Sequence, residues 1–251
     1  MERSALITGG SKRIGGAISN SLAENGYDII VHYNADSQGA EEVVEYARSK
    51  GVQAYSIKAD LLNDEEILNL VSKSVKLLNK PLTTLINNAS IFEYDTIETA
   101  TLENWDRHFG TNIKAPFFLS QAFFKQAPKP ILDERKELVS KAQIINIIDQ
   151  RVVNTSPFFS TYTIAKMALW AFTKTAAQEM APRVRVNGIG PGPTLIAKNQ
   201  SVKSFLEQRK NTVLKRGSNL EDIIGSMNFF LENKGITGQF ICADGGQSLE
   251  W

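Results

Sequence analysis

The stretch SALITGGSKRIGGAISNSL, Ser4 to Leu22, decides the fold. Ser4 to Thr8 reads as a short buried strand. It runs into a turn of Gly9, Gly10, Ser11, Lys12, Arg13, Ile14 and Gly15, after which Ile14, Ile18 and Leu22 recur at helical spacing. Strand, glycine turn and helix start make a phosphate cradle. Glycine lets the backbone come close to a pyrophosphate, and the first turn of a helix offers unpaired N–H groups with a partial positive charge. An ordinary glycine-rich turn has the same local pattern, so the rest of the chain has to decide.

Outward from this stretch, strand-like runs alternate with amphipathic ones. Strands are predicted near 4–8, 28–33, 52–57, 82–86, 143–148, 183–189 and 238–242, and helices near 14–25, 39–50, 64–79, 101–126, 160–181 and 220–232. This is an α/β pattern: a doubly wound seven-stranded parallel sheet with helices on both faces, whose ligand crevice lies outside the C-terminal strand ends. Gly9, Asp60, Asn87, Asp149 and Gly190 each follow a predicted strand and so fall at that crevice. No linker or repeat divides the chain, and a single dinucleotide-binding domain over 1–251 is expected. Pro128, Lys129 and Pro130 with the charged run Asp133 to Lys136 read as a solvated surface excursion.

Composition narrows the partners. Of 251 residues, 28 are Lys or Arg and 27 Asp or Glu, and a net charge of +1 gives no reason to expect nucleic acid or an acidic membrane surface. No run approaches the ~20 apolar residues of a membrane span. The first strand starts too close to Met1 to leave room for a leader, and the lone Cys242 cannot form an internal disulfide. A cytoplasmic protein is expected.

Tyr162 and Lys166 stand at i, i+4 in the helical run Ser160 to Met180 and share a face, and Asp149 lies thirteen positions before the tyrosine. An ammonium beside a phenol favours the phenolate, so Lys166 is expected to lower the Tyr162 pKa toward the operating pH, as a proton donor in a reduction requires.

Thr8-Gly9-x-x-x-x-x-Gly15, Asp60, Asn87-Asn88-Ala89, Asn112, Tyr162-x-x-x-Lys166 and Pro191-Gly192 together resemble the short-chain dehydrogenases/reductases over essentially the whole length. The resemblance implies a Rossmann-type sheet, a nicotinamide cofactor, hydride transfer and a homotetramer. It also implies cofactor contacts from Gly9, Ser11, Lys12, Arg13, Ile14 and Gly15 in the turn, and from His32, Tyr33 and Asn34 after the second strand. Asp60 and Leu61 would lie at the adenine, Asn87, Asn88 and Ala89 along the ribose and nicotinamide, and Pro191 and Gly192 beyond them. Lys166 would hold the nicotinamide ribose, and Asn112 would fix a kinked helix and a proton-relaying water. The catalytic set is thus Asp149, Tyr162, Lys166 and Asn112.

Two departures from the family pattern point further. Arg13 replaces the usual middle glycine and Asp149 the usual catalytic serine. With Lys12-Arg13, His32-Tyr33 and Asn88-Ala89-Ser90-Ile91-Phe92, they resemble the pteridine reductases and the bacterial dihydromonapterin reductases. The substrate implied is a small-molecule dihydropterin, reduced to its tetrahydro form. Such a flat, electron-poor bicycle needs a stacking face and polar partners at its rim. Phe92 either supplies that face or packs under a loop. Arg13 either bridges cofactor phosphate and pterin carbonyl or only neutralises phosphate. With Ser90, Asp149 and Tyr162 these make the expected substrate site. A carboxylic acid able to hold and pass a proton suits a nitrogen acceptor.

Val31-His32-Tyr33-Asn34 carries no carboxylate before Asp36, which favours NADPH over NADH. Pteridine reductases often have an arginine near the position of Ala35, so Lys12, Asn34 and Ser37 must supply more of the phosphate binding here, and Asp36 would oppose it if it pointed inward. Residues 191–216 are the expected substrate cover, with a mobile amphipathic helix over Ser201 to Lys210. The family pairs its subunits through the helices near 101–126 and 160–181, where Phe117, Phe118, Phe123, Phe124, Leu169, Trp170 and Phe172 serve core, interface or both. The tail Gly245 to Trp251 would be long enough to reach a neighbouring subunit's site. Two alternatives remain: a general carbonyl reductase acting on a 3-oxoacyl or sugar-type ketone, and a catalytically silent nucleotide-binding regulator.

Overall fold

Along β1 (Ser4–Ile7), Leu6 buries toward one side of the sheet and Ala5 and Ile7 toward the other. The alternation repeats along β2 (Asp28–Tyr33) and continues through β4 (Thr84–Asn87) and β7 (Ala142–Ile147), giving two separate apolar layers. A strand greasy on both faces needs cover on both, which explains why these runs read as continuously apolar. The computed structural model describes residues 3–197 and 200–249.

The sheet is completed by β3 (Ala54–Lys58), β8 (Val184–Pro191) and β9 (Phe240–Ala243), in the order β3-β2-β1-β4-β7-β8-β9, and every pairing in it is parallel. Chain order reverses between β1 and β4, so the crevice opens beyond their C-terminal ends. One face is covered by α1 (Arg13–Glu24), α2 (Ser37–Ser49) and α8 (Leu220–Glu232) through Ile18, Leu22, Val44, Ile223, Met227 and Phe230. The other is covered by α3 (Asp64–Leu78), α5 (Ala115–Gln126) and α6 (Ser160–Met180) through Ile67, Leu70, Leu119, Phe123 and Ala176. The Ile, Leu, Val, Met and Phe side chains buried this completely contribute about 1.5–3 kcal/mol each.

The helix predicted over 101–126 is two helices joined by a bulge: α4 (Leu102–Phe109), a π-helical turn (Gly110–Lys114) and then α5. Pro116 has no N–H to return to the Asn112 carbonyl, which favours the wider turn at this point. The excursion before β7 is a small antiparallel hairpin, β5 (Ile131–Leu132) with β6 (Leu138–Val139). The predicted amphipathic helix of the cover is α7 (Val202–Asn211). Positions 198 and 199 of the cover, and Glu250 and Trp251 of the tail, lie outside the described residues. Among the residues named for pairing, Phe123 and Leu169 are wholly core, while Phe117 is 43% exposed. No helix among the described residues is long and apolar enough to cross a membrane.

Candidate active site

The glycine turn is held from below. Thr8 Oγ1 accepts from the N–H groups of Asn88 and Ala89, and Asn88 Nδ2 donates back to the Thr8 and Gly9 carbonyls at 2.9 and 3.0 Å, so the ends of β1 and β4 are tied together. Gly9 adopts φ +61°, and a Cβ on Gly15 would stand 2.0 Å from the Gly9 carbonyl oxygen. Only glycine fits at Gly15, and the result is a close-packed backbone concavity. Above it, the N-cap of α1 is Lys12, whose side chain makes no capping bond, and no acidic residue sits in the first turn. An uncapped helix N-terminus over a glycine cradle fits a dinucleotide pyrophosphate.

His32 lies beneath the turn and is buried. Its Nδ1 accepts from the Gly9 N–H at 3.0 Å and its Nε2 bonds the Ala59 carbonyl at 3.0 Å, so the ring is the neutral Nε2–H tautomer. Burial holds its pKa down at about 4. Both ring nitrogens are thereby occupied, and His32 acts on the cofactor cradle through Gly9 without facing it. Leu61 is likewise buried in the core, and Asn87 is buried against Asn146 at 2.8 Å. Tyr33 is half-buried, and Asn34 is exposed. Asp60 accepts from the Leu62 N–H at 3.0 Å.

Lys12 and Asp36 form an ion pair at 3.3 Å, and Asp36 also caps α2 through the Gly39 N–H. The carboxylate therefore faces the cation expected to serve a 2′-phosphate. Arg13, left-handed at φ +55°, sends its guanidinium to the Ile196 and Leu195 carbonyls at 2.9 and 3.4 Å, linking the turn to the cover that follows Pro191 and Gly192.

The reacting pair sits where β7 ends. Asp149 Oδ1 accepts from the Arg151 N–H at 2.8 Å, starting a short 3-10 turn, and Oδ2 accepts from the Tyr162 hydroxyl at 2.8 Å. Lys166 Nζ donates to the Ile147 carbonyl at 2.8 Å. Burial pushes the Asp149 carboxyl up, against the pull of Arg151, Tyr162 and Lys166. Burial also holds the Lys166 ammonium down at about 8.

The Tyr162 expectation is corrected here. Burial and then the adjacent Asp149 charge push its phenol well above the ordinary tyrosine range, with Ser90 and Arg151 pulling weakly the other way. The Lys166 ammonium is drawn to a backbone carbonyl and stands 5.7 Å from the phenol ring centre, whereas the carboxylate touches the hydroxyl. The nearer charge decides. The phenol therefore keeps its proton, held on Asp149 Oδ2.

Asn112 lies in the π-turn with its amide spent on Ile91: Oδ1 accepts from the Ile91 N–H at 3.1 Å and Nδ2 donates to the Ile91 carbonyl at 2.9 Å. It therefore positions the following residue, Phe92, and touches none of the reacting groups. Phe92 is 42% exposed and stands edge-on to Tyr162 at 4.7 Å, so it lines the site and does not pack under a loop.

Two site residues escaped the sequence reading. Phe159, left-handed at φ +60°, stacks on Phe92 at 4.2 Å, and Arg151 lies 4.9 Å from the Phe159 ring centre. The position of Arg151, two residues after Asp149, was the only available hint.

The short chain dehydrogenase family model matches residues 3–207. A 3-oxoacyl-[acyl-carrier-protein] reductase of Staphylococcus epidermidis is 30% identical, over 99% of this chain and all of that one. Among solved structures, the FolM alternative dihydrofolate reductase 1 of Brucella canis, complexed with NADP, superposes with a TM-score of 0.91 at 37% identity, covering 99% of this chain and 95% of that one. A short chain dehydrogenase of Burkholderia cenocepacia in complex with NADP gives 0.86 at 27% identity, covering 98% and 97%.

Proposed function

The chain belongs to the short-chain dehydrogenase family, and from that premise we propose that it reduces a dihydropterin to the tetrahydro form with NADPH. The observation that carries this reading is the Asp149–Tyr162 hydrogen bond at 2.8 Å, with the carboxyl driven by burial toward its neutral form. A neutral carboxyl is a proton source for a ring nitrogen. The likeness to NADP-bound dihydrofolate reductases at 37% identity supports both substrate and cofactor.

NADPH, when bound, supplies the hydride. In this proposal the Gly9–Gly15 cradle and the open start of α1 hold its pyrophosphate, with Ser11 and Ile14 in the same turn. Lys12 and Asn34 serve the 2′-phosphate side, and Asn88 and Ala89 line the nicotinamide side. Phe92 offers a stacking face to the pterin, and Arg13 and Ser90 offer donors to its rim. As a ring carbon of the C=N bond takes hydride, Asp149 gives its proton to the adjacent nitrogen, and Tyr162, donating to the same carboxyl, stabilises the carboxylate left behind. Solvent then reprotonates Asp149. Lys166 keeps a positive charge beneath the pair. The exposed Phe117 on α5 suits the homotetramer expected of the family.

A second reading, reduction of a 3-oxoacyl thioester, is favoured by the relatives of that name at 30% identity. One panel separates the two: NADPH consumption with dihydrobiopterin, dihydromonapterin and dihydrofolate, set against an acetoacetyl thioester. Turnover of the thioester alone overturns the pterin reading.

A further inference from the structure

Four aromatic rings lead outward from the reacting pair. Phe92 stands edge-on to Tyr162, Phe159 lies flat on Phe92 with 8° between the planes, Tyr94 meets Phe159 edge-on at 5.2 Å, and Phe158 stacks on Tyr94 at 6.0 Å. Three of them are open to solvent: Phe92 at 42%, Phe158 at 49% and Tyr94 at 61%. Aromatic rings in water ordinarily bury themselves or mark a contact surface. The row is also held at a cost. A left-handed conformation is disfavoured for a non-glycine residue, and Phe159 is kept in it by its N–H bond to the Asp95 carbonyl at 2.7 Å.

Beside the row is a cation with little to do. The Arg151 guanidinium lies 4.9 Å from the Phe159 ring centre and 5.9 Å from that of Phe92, and it bonds Ser156 Oγ at 3.0 Å. Among the described residues no carboxylate stands within ion-pair distance of it. Asp149 is the nearest acid in sequence, but the reaction needs that carboxyl protonated, which leaves the guanidinium uncompensated in the state that turns over. A planar cation against aromatic faces, with N–H groups to spare, is built to receive a carboxylate.

We propose that Arg151 and the outer rings Phe159, Tyr94 and Phe158 form a subsite for the substituent of the pterin whose bicycle faces Phe92, and that this substituent is an aromatic arm ending in a carboxylate, as in a folate. The inference rests on the dihydropterin reading above and names the substrate class within it. The arm's ring lies along the outer rings and its carboxylate pairs with Arg151. A pterin with a short neutral hydroxyalkyl substituent has neither a ring for them nor a charge for the guanidinium.

The test is steady-state kinetics of the full chain with NADPH and two substrates that share the reacting bicycle, 7,8-dihydrofolate and 7,8-dihydrobiopterin, in the wild type, Arg151→Gln and Arg151→Lys. The readout is the ratio of kcat/KM for dihydrofolate to that for dihydrobiopterin, in which any loss of folding or of shared chemistry cancels. Arg151→Gln is expected to lower the ratio by about tenfold or more, through the KM for dihydrofolate, as loss of a charge-assisted pair implies. Arg151→Lys recovers part of it. A ratio unchanged by Arg151→Gln, or a wild type that reduces dihydrobiopterin and not dihydrofolate, overturns the subsite and leaves the dihydropterin reading standing. If the wild type reduces neither, both fall together.

Discussion

The Tyr162 hydroxyl donates to Asp149 Oδ2 at 2.8 Å, which makes carboxyl and phenol one proton-handling unit. Serine in place of Asp149 removes both the acid and the acceptor of the phenol proton. We expect Asp149→Ser to lower kcat for a dihydropterin by about 10²–10⁴, the usual worth of a positioned acid. NADPH affinity should be nearly unaffected, because the glycine cradle is untouched. Single-turnover kinetics and NADPH fluorescence titration measure the two separately; equal losses in both would contradict the proton-delivery role.

The same pair sets the pH dependence. In the proposed mechanism Asp149 must carry a proton to act, and burial raises its pKa above the ordinary carboxylate value. Dihydropterin kcat/KM should therefore be highest on the acid side and fall as pH rises through the Asp149 value, at a pH above that of a solvent-exposed aspartate. In Asp149→Ser this limb should vanish. A wild-type profile that rises with pH through the same range would mean the carboxylate acts as a base.

His32 predicts how the fold responds to acid. Its pKa is lowered from 6.5 to about 4 in the folded protein, so the unfolded chain binds its proton first as pH falls. The stability it contributes is fully present above about pH 6.5 and is lost progressively down to about pH 4. The total is on the order of 3 kcal/mol. His32→Gln should flatten that part of the stability curve. It should also weaken NADPH binding, because Gly9 loses a rigid acceptor. Chemical denaturation at a series of pH values checks the first effect, and a cofactor titration the second.

How much of this was legible beforehand depended on the range of the forces involved. The sheet was readable because strands buried on both faces, such as Ile29 to Val31 and Ile144 to Ile147, carry their environment in their own sequence. The cradle was readable because Gly9 and Gly15 are demanded by local geometry. The π-turn at Asn112 was legible only through the family resemblance, which implied a kinked helix there, since one extra residue barely disturbs a helical period. The left-handed Phe159 was not legible, because its conformation is fixed by an N–H bond to Asp95, far away in sequence. The direction of the Tyr162 shift was missed because i, i+4 spacing says which face Lys166 shares but not that its ammonium turns to the Ile147 carbonyl.

Cofactor preference turns on whether a 2′-phosphate can draw Lys12 away from Asp36. Asp36 holds Lys12 at 3.3 Å, with the lysine side chain 64% exposed and the aspartate 28%. An exposed pair of this kind is worth only about 0–1 kcal/mol, whereas a lysine on a phosphate makes a charge-assisted bond worth about 1.5–3 kcal/mol. The phosphate should win, and Asp36 should only blunt its gain. Lys12→Ala is thus expected to weaken NADPH by about tenfold while barely changing NADH. Asp36→Asn, which keeps an oxygen to cap α2, should tighten NADPH about two- to fivefold by releasing Lys12 and removing a like charge from the site. Dissociation constants for both cofactors, at low and high salt, test this directly. If Asp36→Asn instead weakens NADPH, the carboxylate is holding Lys12 in its working position and the competition does not exist.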